Sequence, residues 1–320
     1  MITVSRTLLP KLSDYNKYLK RIWANNWLTN DGELVRELEK KLEKYWGAKN
    51  VICVDHGTSA LILLIKALDI KDYIYTSPYS FIATVSAPVW LGVKPIFVDF
   101  NEEYGDPALV THVYGIPSLI KNKNVIYDAS HAFAVKHNGK YIVNYGLASA
   151  ISFHAVKTFQ TVEGGAVVTN NDELADKIRW MRNHGFKSRY TFYGTGINCK
   201  MSEFHAAMGL CSLPLVEKII TRYAEIIKQY NEAFNQNLKD VTYYPLWYPS
   251  ETKLLQAIEH FEKESIFVRR YFYPPLNRVF DGKPCPLAED SMSRVLALPL
   301  YYELSDKDVN KIISIAKDSL

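Results

Sequence analysis

A lysine in a short polar connection between two hydrophobic stretches is the strongest chemical signal in this sequence. The connection reads Ser-Phe-His-Ala-Val-Lys (152–157), and Glu-Gly-Gly-Ala-Val-Val (163–168) follows a few residues later. An amine in such a cleft can lose part of its proton affinity and form a Schiff base with a carbonyl compound. The Gly164–Gly165 pair permits a tight turn beside a bulky ligand. Most lysines are solvated surface residues, and hydrophobic periodicity alone does not exclude this for Lys157.

A second signal is the sequence Asp-His-Gly-Thr-Ser-Ala (55–60), which joins a predicted strand to a predicted helix. Free backbone N–H groups and the helix dipole favour an anion at such a turn, and two hydroxyl groups add donors. Gly57 and Thr58 are therefore candidates to bind a phosphate. The competing interpretation is that Thr58 or Ser59 is only the N-cap of the helix.

A third signal is an aspartate, Asp128, which directly follows the apolar stretch 125–127. This position is the carboxyl edge of a strand, where α/β proteins bind ligands. The carboxylate could pair with a protonated ring nitrogen or with a metal ion, or it could cap a helix.

Together, the three segments provide partners for an aldehyde, a phosphate and an aromatic nitrogen. Pyridoxal 5'-phosphate (PLP) carries all three groups. A carboxylate near its ring nitrogen keeps that nitrogen protonated, so that the ring can accept electrons. The residues therefore indicate a PLP site.

Strand and helix patterns alternate through the first half of the chain. Helices are predicted at 32–46, 58–68 and 172–183, and short apolar strands at 51–54, 73–76, 94–98, 125–127, 148–153 and 165–169. This alternation favours an α/β fold with a mostly parallel sheet and helices on both faces.

The pattern changes near residue 212. A long helix is predicted at about 215–238, mixed segments follow, and a last helix spans 306–319. We therefore expect a large PLP-binding α/β domain at 1–212, which includes the N-terminal segment, and a smaller α+β domain at 213–320.

The composition argues against several other classes of protein. The 320 residues carry 38 Lys and Arg against 34 Asp and Glu, a net charge of +4 with no basic run, so we expect no nucleic-acid partner. The four cysteines lack the spacing of a zinc site and are expected to be reduced, with no metal bound. The sequence shows neither a signal peptide nor a membrane span, which predicts a cytoplasmic protein without a membrane partner.

Further short motifs are spread over nearly the whole chain. They are 27–30, 56–61, 80–84, 98–99, 113–115, 128–132, 152–157, 163–165, 182–185, 196–203 and 273–276. In this order they resemble the DegT-like nucleotide-sugar aminotransferases, which are PLP enzymes of fold type I, the aspartate-aminotransferase fold. The resemblance implies a mostly parallel, mixed seven-stranded sheet in the large domain.

The resemblance also implies roles at the ring of the cofactor. Lys157 would be the catalytic residue, which holds PLP as a Schiff base and then moves a proton between the substrate carbon and the cofactor. Asp128 would hold the ring N–H, and Phe81 would stack on the ring. His131 would hydrogen-bond the phenolic oxygen of the ring or lie beside it.

Other positions are implied to bind the phosphate. Gly57, Thr58 and Ser152 would bind it within one subunit. Asn198 matches the family Asn that reaches the phosphate of the neighbouring subunit's cofactor. This match implies a homodimer with shared active sites.

The chain departs from the family between Asp99 and Tyr114. Only the fourteen residues 100–113 separate these two positions, whereas relatives usually have a helix and more chain there. The shortening puts in doubt the presence of the peripheral helix of the large domain and of part of the sugar-binding wall. It removes no cofactor residue.

The resemblance implies transamination, because related sugar dehydratases have histidine at the position of Lys157. The expected donor is L-glutamate, and the expected acceptor is dTDP-4-keto-6-deoxyglucose, aminated at C-4 for an O-antigen or another surface glycan. The alternatives are amination at C-3, a non-catalytic PLP-binding regulator, and an α/β binding protein without PLP. Four tyrosines could line the sugar site or could only pack: Tyr271, Tyr273, Tyr301 and Tyr302.

Overall fold

Thirteen strands and eleven helices make up the chain, and the computed structural model describes all residues from 1 to 320. The strands are β1 (Asn50–Val54), β2 (Tyr73–Thr76), β3 (Lys94–Phe97), β4 (Ala108–Thr111), β5 (Val125–Asp128), β6 (Lys136–His137), β7 (Lys140–Tyr141), β8 (Ala148–Ser152), β9 (Gly165–Thr169), β10 (Phe186–Ser188), β11 (Thr191–Phe192), β12 (Tyr244–Trp247) and β13 (Val295–Leu298). The helices are α1 (Leu12–Asn25), α2 (Glu33–Trp46), α3 (Gly57–Ala67), α4 (Ile82–Trp90), α5 (Asp172–Met181), α6 (Glu203–Ser212), α7 (Val216–Phe234), α8 (Glu251–Lys263), α9 (Leu276–Val279), α10 (Pro286–Arg294) and α11 (Asp306–Ser319). None of the helices is both long and apolar enough to cross a membrane.

Seven strands form one sheet in the order β1-β9-β8-β5-β4-β2-β3. Strand β9 runs antiparallel to both of its neighbours, and the four other pairs are parallel. The expectation of an α/β fold with a mostly parallel, mixed seven-stranded sheet is therefore confirmed.

The sheet is apolar because helices cover it on both sides. Helix α2 places Leu34, Leu38 and Leu42 on one buried stripe with Trp46, as its four-residue spacing predicts. Helix α3 is apolar on nearly all sides and packs into a second cluster, together with β2, α4 and α5. Strands that are buried on both faces read as continuous apolar runs, which is why the sequence located most of them.

Strand β4 is the one strand of the large sheet that the sequence patterns did not predict. It is four residues long, and it follows Pro107 in the short connection after β3. All four residues are nevertheless buried, because β4 lies between β2 and β5. No helix lies between β3 and β4, which agrees with the shortened 99–114 region.

The C-terminal part has its own hydrophobic cluster of 22 buried residues, drawn mainly from α7, α8, α11 and the antiparallel pair β12–β13. The N-terminal residues join this part, since Ile2 pairs with Ile266 and the Leu300 amide donates to the Val4 carbonyl. The division at 212/213 stays a prediction, and the observed contacts place residues 2–4 beside the smaller unit.

Candidate active site

A cavity of about 400 Å³ lies where the carboxyl ends of β4, β5 and β8 meet the start of α3. Parallel strands expose their carboxyl ends at one edge of a sheet, and ligands bind in that crevice. Seven of the eight predicted site residues line the cavity: Gly57, Thr58, Phe81, Asp128, His131, Ser152 and Lys157. The tertiary structure therefore brings together residues that are up to 100 positions apart.

The first turn of α3 presents backbone donors to the cavity. The helix begins at Gly57, and its N-cap residue is His56, which makes no side-chain capping hydrogen bond. The interpretation of Thr58 or Ser59 as the N-cap is therefore wrong, because both lie inside the helix. An uncapped helix start that faces a cavity can bind an anion through its N–H groups and its dipole.

Glycine is required around this turn because backbone segments approach closely. A Cβ at Gly57 would lie 2.9 Å from the Ser152 Cβ, and a Cβ at Gly165 would lie 2.6 Å from the Gly57 nitrogen. The Gly164–Gly165 pair has no positive φ angle, and Gly165 belongs to β9. Its small size therefore serves close packing, and the expectation of a tight glycine turn is corrected.

Asp128 is the last residue of β5 and is only 4% exposed. Its Oδ2 accepts a hydrogen bond from the Thr84 hydroxyl at 2.7 Å, and its Oδ1 accepts one from the Ser130 amide at 3.1 Å. No helix follows Asp128 directly, so the helix-cap interpretation is wrong. Two donors orient the carboxylate, and its remaining lone pairs are available to a ligand in the cavity.

Burial lowers the pKa of the Lys157 amine, the Asp128 carboxylate opposes this shift and the charge of Arg269 adds to it, and the resulting pKa is about 8. The amine lies 5.8 Å from the centre of the Tyr243 ring. With this pKa, about one molecule in ten carries a neutral amine at pH 7, against about three in ten thousand for an ordinary lysine. Lys157 is therefore prepared to attack a carbonyl carbon.

His131 is a buried neutral ring beside the lysine. Burial, followed by the charge of Lys157, holds its pKa well below the usual value. Its Nδ1 accepts a hydrogen bond from the Tyr114 amide at 3.2 Å, so the proton of the neutral ring resides on Nε2. The ring lies against Phe272 with centroids 5.4 Å apart and planes 22° apart. His131 can thus donate one hydrogen bond to an oxygen.

Phe81 and Asn198 occupy contrasting positions. Phe81 is the N-cap residue of α4 and lines the cavity with a ring that is 48% exposed, so a flat ligand can stack on it. Asn198 is exposed and lies outside this cavity, and its side-chain oxygen accepts a hydrogen bond from the Lys200 amine at 2.5 Å. Asn198 therefore does not join the other seven residues within one chain.

The sequence reasoning missed three lining residues from the C-terminal part: Tyr243, Arg269 and Phe272. Arg269 and Phe272 flank Tyr271, which was a candidate and does line the cavity. The adjacent Arg-Arg-Tyr-Phe-Tyr run (269–273) was the available signal. Tyr301 packs in the C-terminal core, and Tyr273 and Tyr302 also lie outside the cavity.

Two histidines and a glutamate lie together on another wall of the cavity. Glu163 Oε2 lies 3.6 Å from His56 Nε2, and Glu163 Oε1 lies 3.6 Å from His154 Nε2. All three side chains line the cavity and are about half exposed. His56, His154 and Glu163 therefore form one polar cluster on this wall.

The donor set of the cavity fits PLP. Gly57, Thr58 and Ser152 surround the uncapped helix start that suits a phosphate, and Lys157 provides the partly neutral amine that suits an aldehyde. Asp128 provides an acceptor for a ring N–H, and His131 provides a donor for a ring oxygen. No polar group in this set conflicts with the cofactor.

Comparison with known proteins agrees with this class of site. The fold and the site define a PLP-dependent aminotransferase of fold type I, an enzyme. The sequence profile of the DegT/DnrJ/EryC1/StrS aminotransferase family matches residues 12–114 and 118–317. The chain belongs to this family.

Individual relatives match over nearly their whole length. A dTDP-4-amino-4,6-dideoxy-D-glucose transaminase from Shigella dysenteriae is 33% identical, and the match covers 99% of this chain and 98% of the relative. A protein of the same name from Escherichia coli is 30% identical over 98% of this chain and 97% of its own. The crystal structure of DesI in the presence of its TDP-sugar product superposes with a TM-score of 0.90 at 26% identity, covering 99% of this chain and 92% of that one.

These findings confirm the family, the fold class, the enzymatic nature of the chain and its cofactor, PLP. The chain is similar to sugar aminotransferases, which act on a nucleotide-linked sugar with an amino donor. The interpretation as an α/β binding protein without PLP is therefore wrong.

Proposed function

We propose that this chain transfers an amino group from L-glutamate to C-4 of dTDP-4-keto-6-deoxyglucose, which yields 2-oxoglutarate and dTDP-4-amino-4,6-dideoxyglucose. The observation that carries the proposal is one cavity that holds the Lys157 amine, the Asp128 carboxylate and the uncapped start of α3. The choice of sugar is supported by the near-full-length similarity to transaminases named for that product.

Lys157 is the proposed catalytic residue. PLP, when bound, supplies an aldehyde that links reversibly to amines and a ring that accepts an electron pair. The Lys157 amine takes the proton from the α carbon of the amino donor in the first half-reaction. It delivers a proton to C-4 of the sugar in the second. A pKa of about 8 suits both directions, because proton transfer is efficient when the pKa lies near the working pH.

The other lining residues bind and orient. Asp128 accepts the ring N–H, and the neutral His131 ring donates to the phenolic oxygen. Phe81 offers its exposed ring face for stacking. Gly57, Thr58 and Ser152 bind the phosphate at the start of α3.

We further propose a homodimer in which Asn198 serves the partner's site. Within its own chain Asn198 is exposed and lies outside the cavity. The neighbouring side chains Phe192, Tyr193 and Ile197 are exposed apolar groups, and a second copy of this chain would bury them. The product is assigned to O-antigen or other surface-glycan synthesis, and the reaction to the cytoplasm.

Lys157→Ala tests the catalytic role. The purified protein should be yellow, and borohydride should fix the chromophore to the peptide that contains Lys157. Lys157→Ala should fold, lose the fixed chromophore and lose amino transfer to below detection. Lys140→Ala, which changes an exposed lysine that does not line the cavity, should retain both. Turnover retained by Lys157→Ala would contradict the assigned role.

A panel of 3-keto and 4-keto nucleotide sugars tests the substrate. With L-glutamate as donor, dTDP-4-keto-6-deoxyglucose should give the highest kcat/KM, and NMR of the product should place nitrogen at C-4. Nitrogen at C-3 would select the alternative regiochemistry. A clear preference for a sugar on another nucleotide would contradict the proposed substrate while leaving the reaction class intact.

A further inference from the structure

A chain of three hydroxyl groups reaches Asp128 from the cavity wall. Thr111 Oγ1 lies 2.8 Å from Ser80 Oγ, Ser80 donates to Thr84 Oγ1 at 2.6 Å, and Thr84 donates to Asp128 Oδ2 at 2.7 Å. Ser80 and Thr84 are fully buried, and Thr111 is 9% exposed. The three residues come from three places in the fold, namely the end of β4, the segment before α4 and the first turn of α4.

With an ionised Asp128 carboxylate as the final acceptor, proton counting gives the direction of every hydrogen bond in this chain. A hydroxyl group has one proton, so it donates once and can accept from others. Thr84 uses its proton on Asp128, and Ser80 uses its proton on Thr84. Thr111 must therefore be the donor to Ser80. All three bonds point toward the carboxylate.

An ionised Asp128 carboxylate at the end of the chain imposes this polarity. An ionised carboxylate only accepts hydrogen bonds, and its other oxygen accepts from the Ser130 amide, which can only donate. A proton on Oδ2 would have to be donated to Thr84, and the whole hydroxyl chain would have to reverse. Hydrogen bonds in series also polarise one another, so each one strengthens the next.

We propose that Thr111, Ser80 and Thr84 are positioning residues that hold Asp128 as an oriented anionic acceptor for the ring nitrogen of PLP. They act through Asp128 and do not touch the cofactor nitrogen themselves. The inference rests on the proposed role of Asp128. It adds that three hydroxyl groups orient the carboxylate that keeps the ring nitrogen protonated. Thr111 belongs to β4, so this strand contributes to the site as well as to the sheet.

The test uses PLP labelled with 15N in its ring, bound to the full-length protein without any substrate. The 15N chemical shift reports whether the ring nitrogen carries a proton. Thr84→Val keeps the volume of the side chain and removes the donor, so the resonance should move toward the position of an unprotonated ring. The Kd for PLP should rise roughly tenfold, since Asp128 loses the donor that holds it in place as the acceptor for the ring N–H. Thr84→Ser should restore both values.

A matched control is available on the neighbouring strand β2. Thr76 has a buried hydroxyl with no hydrogen-bond partner, so Thr76→Val should leave the resonance and the Kd unchanged. Ser80→Ala interrupts the chain one bond further away and should move the resonance in the same direction by a smaller amount. Ser80→Ala therefore also serves as the test if Thr84→Val does not fold.

Three results would overturn the inference. They are a wild-type resonance in folded Thr84→Val and Ser80→Ala, an equal movement in Thr76→Val, and a failure of Thr84→Ser to restore the signal. Asp128→Ala separates this inference from the proposed function. If Asp128→Ala moves the resonance and Thr84→Val does not, only the hydroxyl chain is refuted. If neither variant moves it, the proposed role of Asp128 falls as well.

Discussion

Two titratable side chains in the cavity, Lys157 and His131, are driven toward their neutral forms by the same cause. Burial lowers the pKa of each, because loss of water penalises a positive charge. For the lysine, the neutral form is a nucleophile and a base. For the histidine, the neutral form keeps a single N–H, whose place is fixed by the Tyr114 amide. One physical cause therefore produces a reactive amine and a hydrogen-bond donor.

Lys157→Met should change how the stability of the cofactor-free protein depends on pH. The pKa of Lys157 falls from about 10.5 in the unfolded chain to about 8 in the folded one, so the unfolded chain binds more protons between these values. The free energy of unfolding of the wild type should therefore rise by roughly 2–3 kcal/mol between about pH 8 and about pH 10.5. Below pH 8 the cost of the buried charge is fully present.

Urea unfolding of both proteins across this range measures the effect. Lys157→Met should be the more stable protein at pH 7, and its curve should lack the rise. Parallel curves for the two proteins would show that the folded chain does not lower the lysine pKa.

At the scale of elements, the proposed phosphate end of the cavity depends on how closely α3, β8 and β9 approach one another. A Cβ at Gly165 would lie 2.6 Å from the Gly57 nitrogen and 2.8 Å from the Ile151 carbonyl oxygen. Both neighbours are backbone atoms and cannot rotate away. The geometry of the predicted phosphate turn is thus set by a strand more than a hundred residues further along the chain.

Gly165→Ala should both destabilise the protein and weaken PLP binding. The added methyl group forces β9 and the start of α3 apart, at a cost of about 1–3 kcal/mol. Gly47→Ala is the control, since Gly47 has a φ of +62° at the end of α2 with no atom near its Cβ position. It should lower stability by roughly 1 kcal/mol and leave the Kd for PLP unchanged. An unchanged Kd in Gly165→Ala would contradict the proposed phosphate site.

Tyr114 connects the large sheet to the C-terminal part through hydrogen bonds. The hydroxyl of Tyr114 bonds to the Tyr79 hydroxyl at 2.8 Å and donates to the Tyr271 carbonyl, and the Tyr114 carbonyl accepts from the Thr242 amide at 2.8 Å. Because Tyr114 also presents its amide to His131, the same residue links the contact between the two parts to the cavity.

Tyr114→Phe should reduce the free energy of unfolding by about 1–3 kcal/mol, because the buried Tyr271 carbonyl loses its donor. Tyr79→Phe should cost less, since it leaves the bond from Tyr114 to Tyr271 intact. Chemical denaturation of the two variants gives the comparison. Equal losses would show that the bond to the Tyr271 carbonyl contributes nothing of its own.

At the scale of the whole molecule, one chain provides seven of the eight predicted site residues in one cavity and presents the eighth on its surface. Asn198 is exposed next to apolar side chains that a single chain leaves in water. The proposed shared site in a symmetric dimer would account for both features, because a two-fold interface places the same surface segment of each subunit against the other.

Mixing two variants that each lack one residue of the proposed shared site tests it, at a PLP concentration that leaves Asn198→Ala unloaded. In a mixed dimer of Lys157→Ala and Asn198→Ala, one of the two sites has both residues intact. If half of the dimers are mixed, the sample should regain about a quarter of the wild-type activity. Asn198→Ala alone should show weakened PLP retention. Activity that stays at the sum of the separate variants, despite dimers that exchange subunits, would place Asn198 outside the site.

Sequence alone located the chemistry because each signal is local. Lys157, Asp128 and the Gly57–Thr58 turn are each recognisable from a strand end or a helix start. The apolar runs predicted six of the seven sheet strands, since strands buried on both faces leave a continuous signal. Strand β4 is no shorter than β2, β3 and β5, so its length does not explain why its apolar run was missed. The run 269–273 marks a segment of the C-terminal part that reaches the cavity, but it gives no local sign of which of its side chains face the cavity.

The sequence by itself determined the family and the cofactor and singled out Lys157 as the candidate reactive lysine, because these depend on residue types at fixed local spacing. Only the tertiary structure decided which groups surround that lysine. It lowered the pKa of Lys157 by burial, brought Arg269 and Tyr243 to the cavity, and connected Thr111 to Asp128 through two hydroxyl groups. Burial and hydrogen-bond direction depend on contacts between residues that are distant in the chain, and no local pattern encodes them.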